Sequence, residues 1–448
     1  MASEIPLTLQ TAYADLLDRC SRDAFAQDFP EEGVFTPKVI RGRTYWYFQV
    51  TEEGGTRKQR YVGAETPELL ERIKRHREAR GDRKDRQSLV STLVRSAHLP
   101  RPNPEIGNVV EALAGAGVFR LSGVLVGTVA YQTYSGLLGI RLSAAALQTG
   151  DIDVAQSKNV SLAVEEPAPS IVEALQKVDP SFRPVPHMRD PLTVTSYAGK
   201  GGIRVEFLTP NVGPDTDEPA ELTALGTDPQ QLRFLDFLIH DPEGAVLLHG
   251  DGIFVLVPAP QRYALHKLIV ARRRREGAIK VDKDLEQAEA LLDALAVRRP
   301  HELRAAWNEA YERGKKWRQY LGEGLGPIDF DVRDRTLKTL GVRRSIIPGL
   351  DLTFSASPSR YDFDRDIVEF SGEAGGERVR CAVSREALSD HFGADGMSKE
   401  ERLKIFRDKR SVFEKMARAK YLTWPVDDAG SVLIKTGDVE KLMANASR

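Results

Sequence analysis

Two aspartates at alternate positions, Asp151 and Asp153 in the segment TGDIDVA, are the residues of this chain best suited to chemistry. Alternate residues of a strand face the same side, so the two carboxylates share one patch while Ile152 and Val154 face the opposite layer. Neighbouring carboxylates repel unless a cation lies between them, and Mg²⁺ is met by one or two carboxylates plus substrate phosphates rather than by an all-protein cage. The partner such a patch implies is a nucleoside triphosphate. Upstream, GVLVGTVAY places the turn Gly127-Thr128 between an apolar strand and a helix. Free N–H groups and the helix dipole favour phosphate at such a start. Gly127 would let the backbone approach the triphosphate, and Thr128 would add a hydroxyl.

Spacing alone does not select this pair, because Asp-x-Asp recurs at Asp215 and Asp217, Asp282 and Asp284, Asp329 and Asp331, and Asp362 and Asp364. Context does: only Asp151 and Asp153 border an apolar strand downstream of a strand-Gly-Thr-helix element. An EF-hand reading fails for want of the glycine and terminal glutamate. Activation of an acceptor hydroxyl calls for a third acid, since a bare hydroxyl is a poor nucleophile at neutral pH. Glu206, in GIRVEFLTP, lies on an apolar strand with Val205 and Phe207 pointing away. The competing reading is an edge-strand glutamate facing water. His187, His240, His249 and His266 have no spacing that builds a zinc site, and no Gly-x-Ser-x-Gly element occurs.

The whole chain sets looser bounds. Its 448 residues suggest about three domains, and 64 basic against 65 acidic residues leave a formal charge of −1, so any basic surface is local. Two cysteines, Cys20 and Cys381, suit a reducing compartment and exclude a thiolate metal cluster. The start MASEIPLTLQ lacks the regions of a secretion signal, so a cytoplasmic location is expected. Leu121 to Ile140 carries no charge, but its glycines and hydroxyl residues fit a buried strand-turn-helix better than a membrane span; no membrane partner is expected.

The elements that must position the acids read as an α+β chain in three parts: residues 1–100, 101–322 and 323–448. The first part reads as a helix, an aromatic hairpin turning at Glu53-Gly54-Gly55, and a helix opening at Thr66 or Pro67. That helix becomes strongly basic between Arg72 and Arg86, which reads either as a solvated face or as a nucleic-acid backbone contact. The aromatics of the hairpin read as core, with base stacking as the alternative. In the second part we read a helix from Pro104 to about Ala116, a strand over Leu121 to Val126, a helix from Thr128 and the acidic strand. A helix around Ser170 to Lys177, the strands LTVTSYA and IRVEFLTP, a short helix within Leu232 to Ile239, the hairpin AVLLHGDGIFVLVP and two helices follow. The third part reads as a small α+β domain, with strands around Val368-Glu369 and RVRCAVS.

The glycine turn, the Asp-x-Asp strand and the third carboxylate together resemble the DNA polymerase beta-like nucleotidyltransferase superfamily, especially its minimal bacterial members, over about Glu105 to Val297. The resemblance implies a mixed sheet flanked by helices and transfer of an NMP from NTP to a hydroxyl of a protein, RNA or small molecule. It implies that Asp151, Asp153 and Glu206 bind Mg²⁺ or Mn²⁺ and that Gly127 and Thr128 hold phosphate. That family commonly has Ser or Gly where Thr128 stands and Asp where Glu206 stands. The segment PQRYALHKLIVARRRREGAIKVDKDLEQAEALL resembles the helices that follow the catalytic sheet, which implies phosphate contact by Lys267, with Arg262 and Arg272 as secondary candidates. For Lys283 and Asp284 the role expected is structural. The chain's end resembles small bacterial domains of unknown function. Two rival readings stand beside the enzyme: a non-catalytic nucleotide- or nucleic-acid-binding protein, and the nucleotidylating half of a toxin-antitoxin or defence pair.

Overall fold

The computed structural model describes residues 3–29, 34–51, 57–75, 83–142, 149–157, 170–187, 193–211, 213, 219–220, 225–274, 278–348, 351–355, 358–374, 376–423 and 431–440. It divides into two units, Met1–His266 and Lys267–Arg448. No helix among the described residues is long and apolar enough to cross a membrane.

The first unit opens with a short strand β1 (Ser3–Glu4) and the helix α1 (Leu7–Asp28). An antiparallel meander follows, β2 (Val34–Ile40), β3 (Arg43–Thr51) and β4 (Arg57–Ala64), so the expected hairpin has a third strand on its N-terminal side. The expected turn at Glu53-Gly54-Gly55 lies outside the described residues. Tyr47 and Phe48 are buried and belong to the core, whereas Tyr45 and Trp46 are half-buried, and Trp46 Nε1 donates to Glu65 Oε2 at 2.9 Å. The basic stretch is two helices, α2 (Pro67–Arg75) and α3 (Arg83–Ser96), with residues 76–82 outside the described set. Arg86 is 4% exposed and pairs with Asp23 and Asp251, and the Arg72 guanidinium lies 4.7 Å over the Phe25 ring. Arg86, at one end of the stretch, is therefore spent on internal ion pairs, and Arg72, at the other, is held in place by an aromatic face.

The helix α4 (Pro104–Gly115) starts where its chemistry directs: Asn103 caps it by accepting from Glu105 N at 3.0 Å, and Pro104 needs no N–H in the first turn. Then come β5 (Val124–Val126) and α5 (Gly127–Leu138). The strand is shorter than the sequence suggests because Gly117 (φ +82°) and Ser122 (φ +62°) turn the chain just before it. A two-residue β6 (Ile140–Arg141) pairs with β1. The acidic strand is β7 (Asp151–Ala155), followed by α6 (Ile171–Val178), β8 (Arg183–Pro186), β9 (Val194–Ala198), β10 (Arg204–Pro210) and β11 (Gln230–Leu232). These make a mixed sheet in the order β5-β7-β10-β9-β8, with β11 also on β10. The β7–β10 and β10–β11 pairs are parallel; β5–β7, β10–β9 and β9–β8 are antiparallel.

The short helix α7 (Leu235–Leu238) leads into the hairpin β12 (Glu243–Leu247) and β13 (Ile253–Val257). Helix α1 packs on this hairpin, where Ile5, Tyr13, Leu16 and Cys20 share one apolar cluster with Val90, Leu93, Val246 and Leu248. Helix α8 (Pro260–Arg273) carries the boundary between the units.

The second unit continues with four helices, α9 (Ala278–Arg298), α10 (Pro300–Glu312), α11 (Lys315–Leu325) and α12 (Phe330–Leu340), around Leu291, Leu295, Leu303, Trp307 and Leu337. A four-stranded sheet follows: β14 (Arg360–Asp362), β15 (Ile367–Ala374), β16 (Glu377–Ser384) and, after the helices α13 (Arg385–Phe392), α14 (Lys399–Asp408) and α15 (Arg410–Thr423), β17 (Ser431–Ile434) parallel to β16. The fold class is mixed α+β throughout.

Candidate functional site

The parallel register of β7 and β10 sets Asp151 beside Arg204 and Asp153 beside Glu206. Ile152, Val154, Val205 and Phe207, the intervening residues, are buried on the opposite face, so alternation puts all four charged residues on one side of the sheet. The row continues into β9, where Ser196 stands beside Glu206, and into β5, where Val126 stands beside Asp153. Thus the three acids read from the sequence lie on adjacent strands of one face.

Their carboxylates do not all converge. Arg204 Nε lies 3.0 Å from Glu206 Oε1, and the same guanidinium donates through Nη2 to Ser196 Oγ at 3.1 Å. Among the described residues no three His, Cys, Asp or Glu side chains gather as a metal-binding group. By its chemistry the pair Asp151 and Asp153 could hold a hard divalent cation only if phosphate and water oxygens completed the coordination. Glu206, turned to Arg204, does not join that donor set in this arrangement.

The glycine turn lies against the acidic strand. Gly127 has φ +66°, a conformation that disfavours any side chain, and a Cβ built on it would stand 2.3 Å from Asp153 Oδ2. The Asp153 carboxylate therefore occupies the open end of α5, whose preceding residue Val126 offers no side-chain cap. An anion there is favoured by the positive end of the helix dipole, worth about 0.3–1 kcal/mol at ordinary exposure. Thr128, in the first turn, is buried.

A residue not singled out in the sequence fixes this turn: Tyr263 of α8 donates its hydroxyl to the Gly127 carbonyl at 2.9 Å. Its ring stacks on Tyr131 at 6.0 Å and meets Tyr134 edge-on at 5.1 Å. Burial, with a smaller contribution from Glu243, pushes the Tyr134 phenol well above its ordinary value, so it stays protonated and donates to Pro258 O at 2.9 Å. The usable signal was three tyrosines on apolar elements, each of which needs a partner for its hydroxyl.

Arg262, a secondary phosphate candidate, is buried; it covers the Phe237 ring at 4.8 Å and bonds Phe237 O and His240 Nδ1. Arg272 is exposed. In the second unit Lys267 Nζ lies 2.5 Å from Asp284 Oδ1, and Arg274 Nε lies 2.6 Å from Asp284 Oδ2, which ties α8 to α9. Burial alone would raise the Asp284 carboxyl, but the Lys267 ammonium and the Arg274 guanidinium outweigh it and hold the group below the usual carboxylate range. His249 bonds Asn108 at 2.8 Å, and burial lowers its pKa.

Residues 104–312 match a family model described as a nucleotidyltransferase, so this stretch of the chain is similar to that family. Residues 352–434 match a protein family of unknown function (DUF1488), and residues 7–72 match a domain of unknown function (DUF6788). No curated protein and no solved structure matches the chain.

Proposed function

We propose that the nucleotidyltransferase domain, read as polymerase beta-like, moves an NMP from an NTP to a hydroxyl acceptor and releases pyrophosphate. The observation that carries the reading is the shared face of β7 and β10, where Asp153 abuts both Glu206 in register and the Gly127 turn at the start of α5. Asp151 and Asp153 would hold Mg²⁺ or Mn²⁺. When bound, such an ion neutralises phosphate charge and polarises the transferring phosphoryl group. The Gly127-Thr128 turn would orient the triphosphate through the ion held at Asp153, whose carboxylate stands at the start of α5. Glu206 takes the acceptor proton as the acceptor oxygen bonds the α-phosphorus and the bond to the β-phosphate breaks. For that step Glu206 must exchange Arg204 for the acceptor hydroxyl.

A second reading draws on the same ion pair. With Glu206 held by Arg204, the face binds nucleotide without transferring it, and the matched modules of unknown function recognise a partner. Incubation with α-phosphate-labelled ATP, CTP, GTP and UTP, alone and with total RNA, separates the two. Transfer predicts label on the protein, RNA or a small product, and its loss in Asp153→Ala with the melting profile retained. Saturable NTP binding with no labelled product in any mixture selects the binder.

A further inference from the structure

A cavity of about 600 Å³ opens in the first unit, away from the acidic strands. It is walled by two stretches that match different families: α1, β4 and α2 within residues 7–72, and the end of α4, the turn before β5 and the start of β13 within 104–312. The module of unknown function thus supplies one wall and the nucleotidyltransferase domain the other.

Arg60, Arg72 and Arg120 line it. Arg72 is held over Phe25 at 4.7 Å and Phe254 at 6.0 Å; Arg120 lies 5.9 Å over Phe29 and donates to Tyr61 O at 2.6 Å. Guanidinium groups fixed on aromatic faces are oriented in advance and weakly hydrated, which suits forked recognition of phosphate or carboxylate. The opposing charges are mostly committed: Asp23 and Asp251 both pair with buried Arg86, and Arg83 Nε lies 3.7 Å from Asp251. The exposed Glu111 is the remaining lining carboxylate. A cationic excess therefore sits beside the half-buried Phe254, above the buried rings of Phe25, Phe29 and Phe119, in a volume within the roughly 300–1,000 Å³ usual for small-ligand sites.

We propose that this cavity binds a small organic anion with a planar ring, the anionic group held by the three arginines and the ring laid beside Phe254, the half-buried member of the lining phenylalanines. The inference does not rest on the acidic face, and its test separates the two. Calorimetric titration of the full chain in EDTA with phenyl phosphate, benzoate, AMP and inorganic phosphate should show saturable binding of at least one ring-bearing anion. Inorganic phosphate should bind about tenfold more weakly or less, and Arg72→Gln and Arg120→Gln should each weaken the ring-bearing ligand about tenfold. Asp153→Asn should leave it unchanged. The phosphate and carboxylate probes distinguish the two kinds of anionic group. No saturable heat with any ring-bearing probe, equal affinity for inorganic phosphate, undiminished affinity in both arginine variants, or loss in Asp153→Asn overturns the proposal. A variant-free readout guards against misfolding: the melting midpoint of the unaltered chain should rise with the tightest ring-bearing probe and not with inorganic phosphate at the same concentration, and an unchanged midpoint counts against the site.

Discussion

Gly127 is the position where a single methyl group reads out the candidate site. Its φ of +66° costs any other residue about 1–3 kcal/mol, and the added Cβ would displace the Asp153 carboxylate from the start of α5. Gly127→Ala should lower the melting midpoint through the strain and reduce label transfer about a hundredfold, because the carboxylate moves as well. Undiminished transfer by this variant would show that the Asp153 position is not needed. Tyr263→Phe acts on the same turn from the other side, leaving the Gly127 carbonyl without its hydroxyl donor. The expected cost is about 1–2 kcal/mol of stability. Transfer should fall mainly through a raised KM for NTP, measured by initial rates, since the turn loosens while the carboxylates stay.

Among the elements, α8 and α9 are joined by a charge cluster whose pH dependence has a definite sign. Asp284 has a folded pKa below that of the unfolded chain, so its ionised form adds stability above the ordinary carboxylate value of about 3.9, and that stability is lost as pH falls through the folded value. Asp284→Asn should therefore flatten the acid limb of the stability curve followed by circular dichroism, and should destabilise at neutral pH because Lys267 and Arg274 lose their partner. A parallel acid limb in the variant would assign the transition to other carboxylates. The sequence announced such elements unevenly. The helix at Pro104 was legible because Asn103 and Pro104 are local start signals, and the acidic strand because it alternates. Strand β2 was not, since Pro37 argues against a strand; it is tolerated there because β2 is an edge of its sheet. The parallel pairing of β7 with β10 joins residues far apart in the chain, and no local signal sets its register, so the meeting of Asp153 with Glu206 becomes definite only in the folded sheet. The Arg204–Glu206 pair, by contrast, has a local signature: the cation stands two residues before the acid on one strand, and period-two alternation puts both on the same face.

At the scale of the molecule, the first helix is part of the frame that carries the candidate site. Val246 N donates to Tyr13 Oη at 3.1 Å, and a Cβ on Gly252 would lie 2.7 Å from Cys20 Sγ, so α1 approaches the β12–β13 hairpin as closely as backbone permits. Ile5, Tyr13 and Leu16 are all but fully buried against it. Burying such side chains contributes about 1.5–3 kcal/mol each, and three of them together approach the roughly 5–15 kcal/mol by which a domain is stable at all. Removal of residues 1–28 should thus expose Val246, Leu248 and the partly buried Phe254 and leave a chain that elutes as aggregate in gel filtration. The alternative is an N-terminal module that hangs from an independently stable core, for which the truncated chain elutes free of aggregate and keeps full label transfer. The contact chemistry argues for the first outcome, because α3, which shares that apolar cluster, packs on α1 and would lose its own support as well.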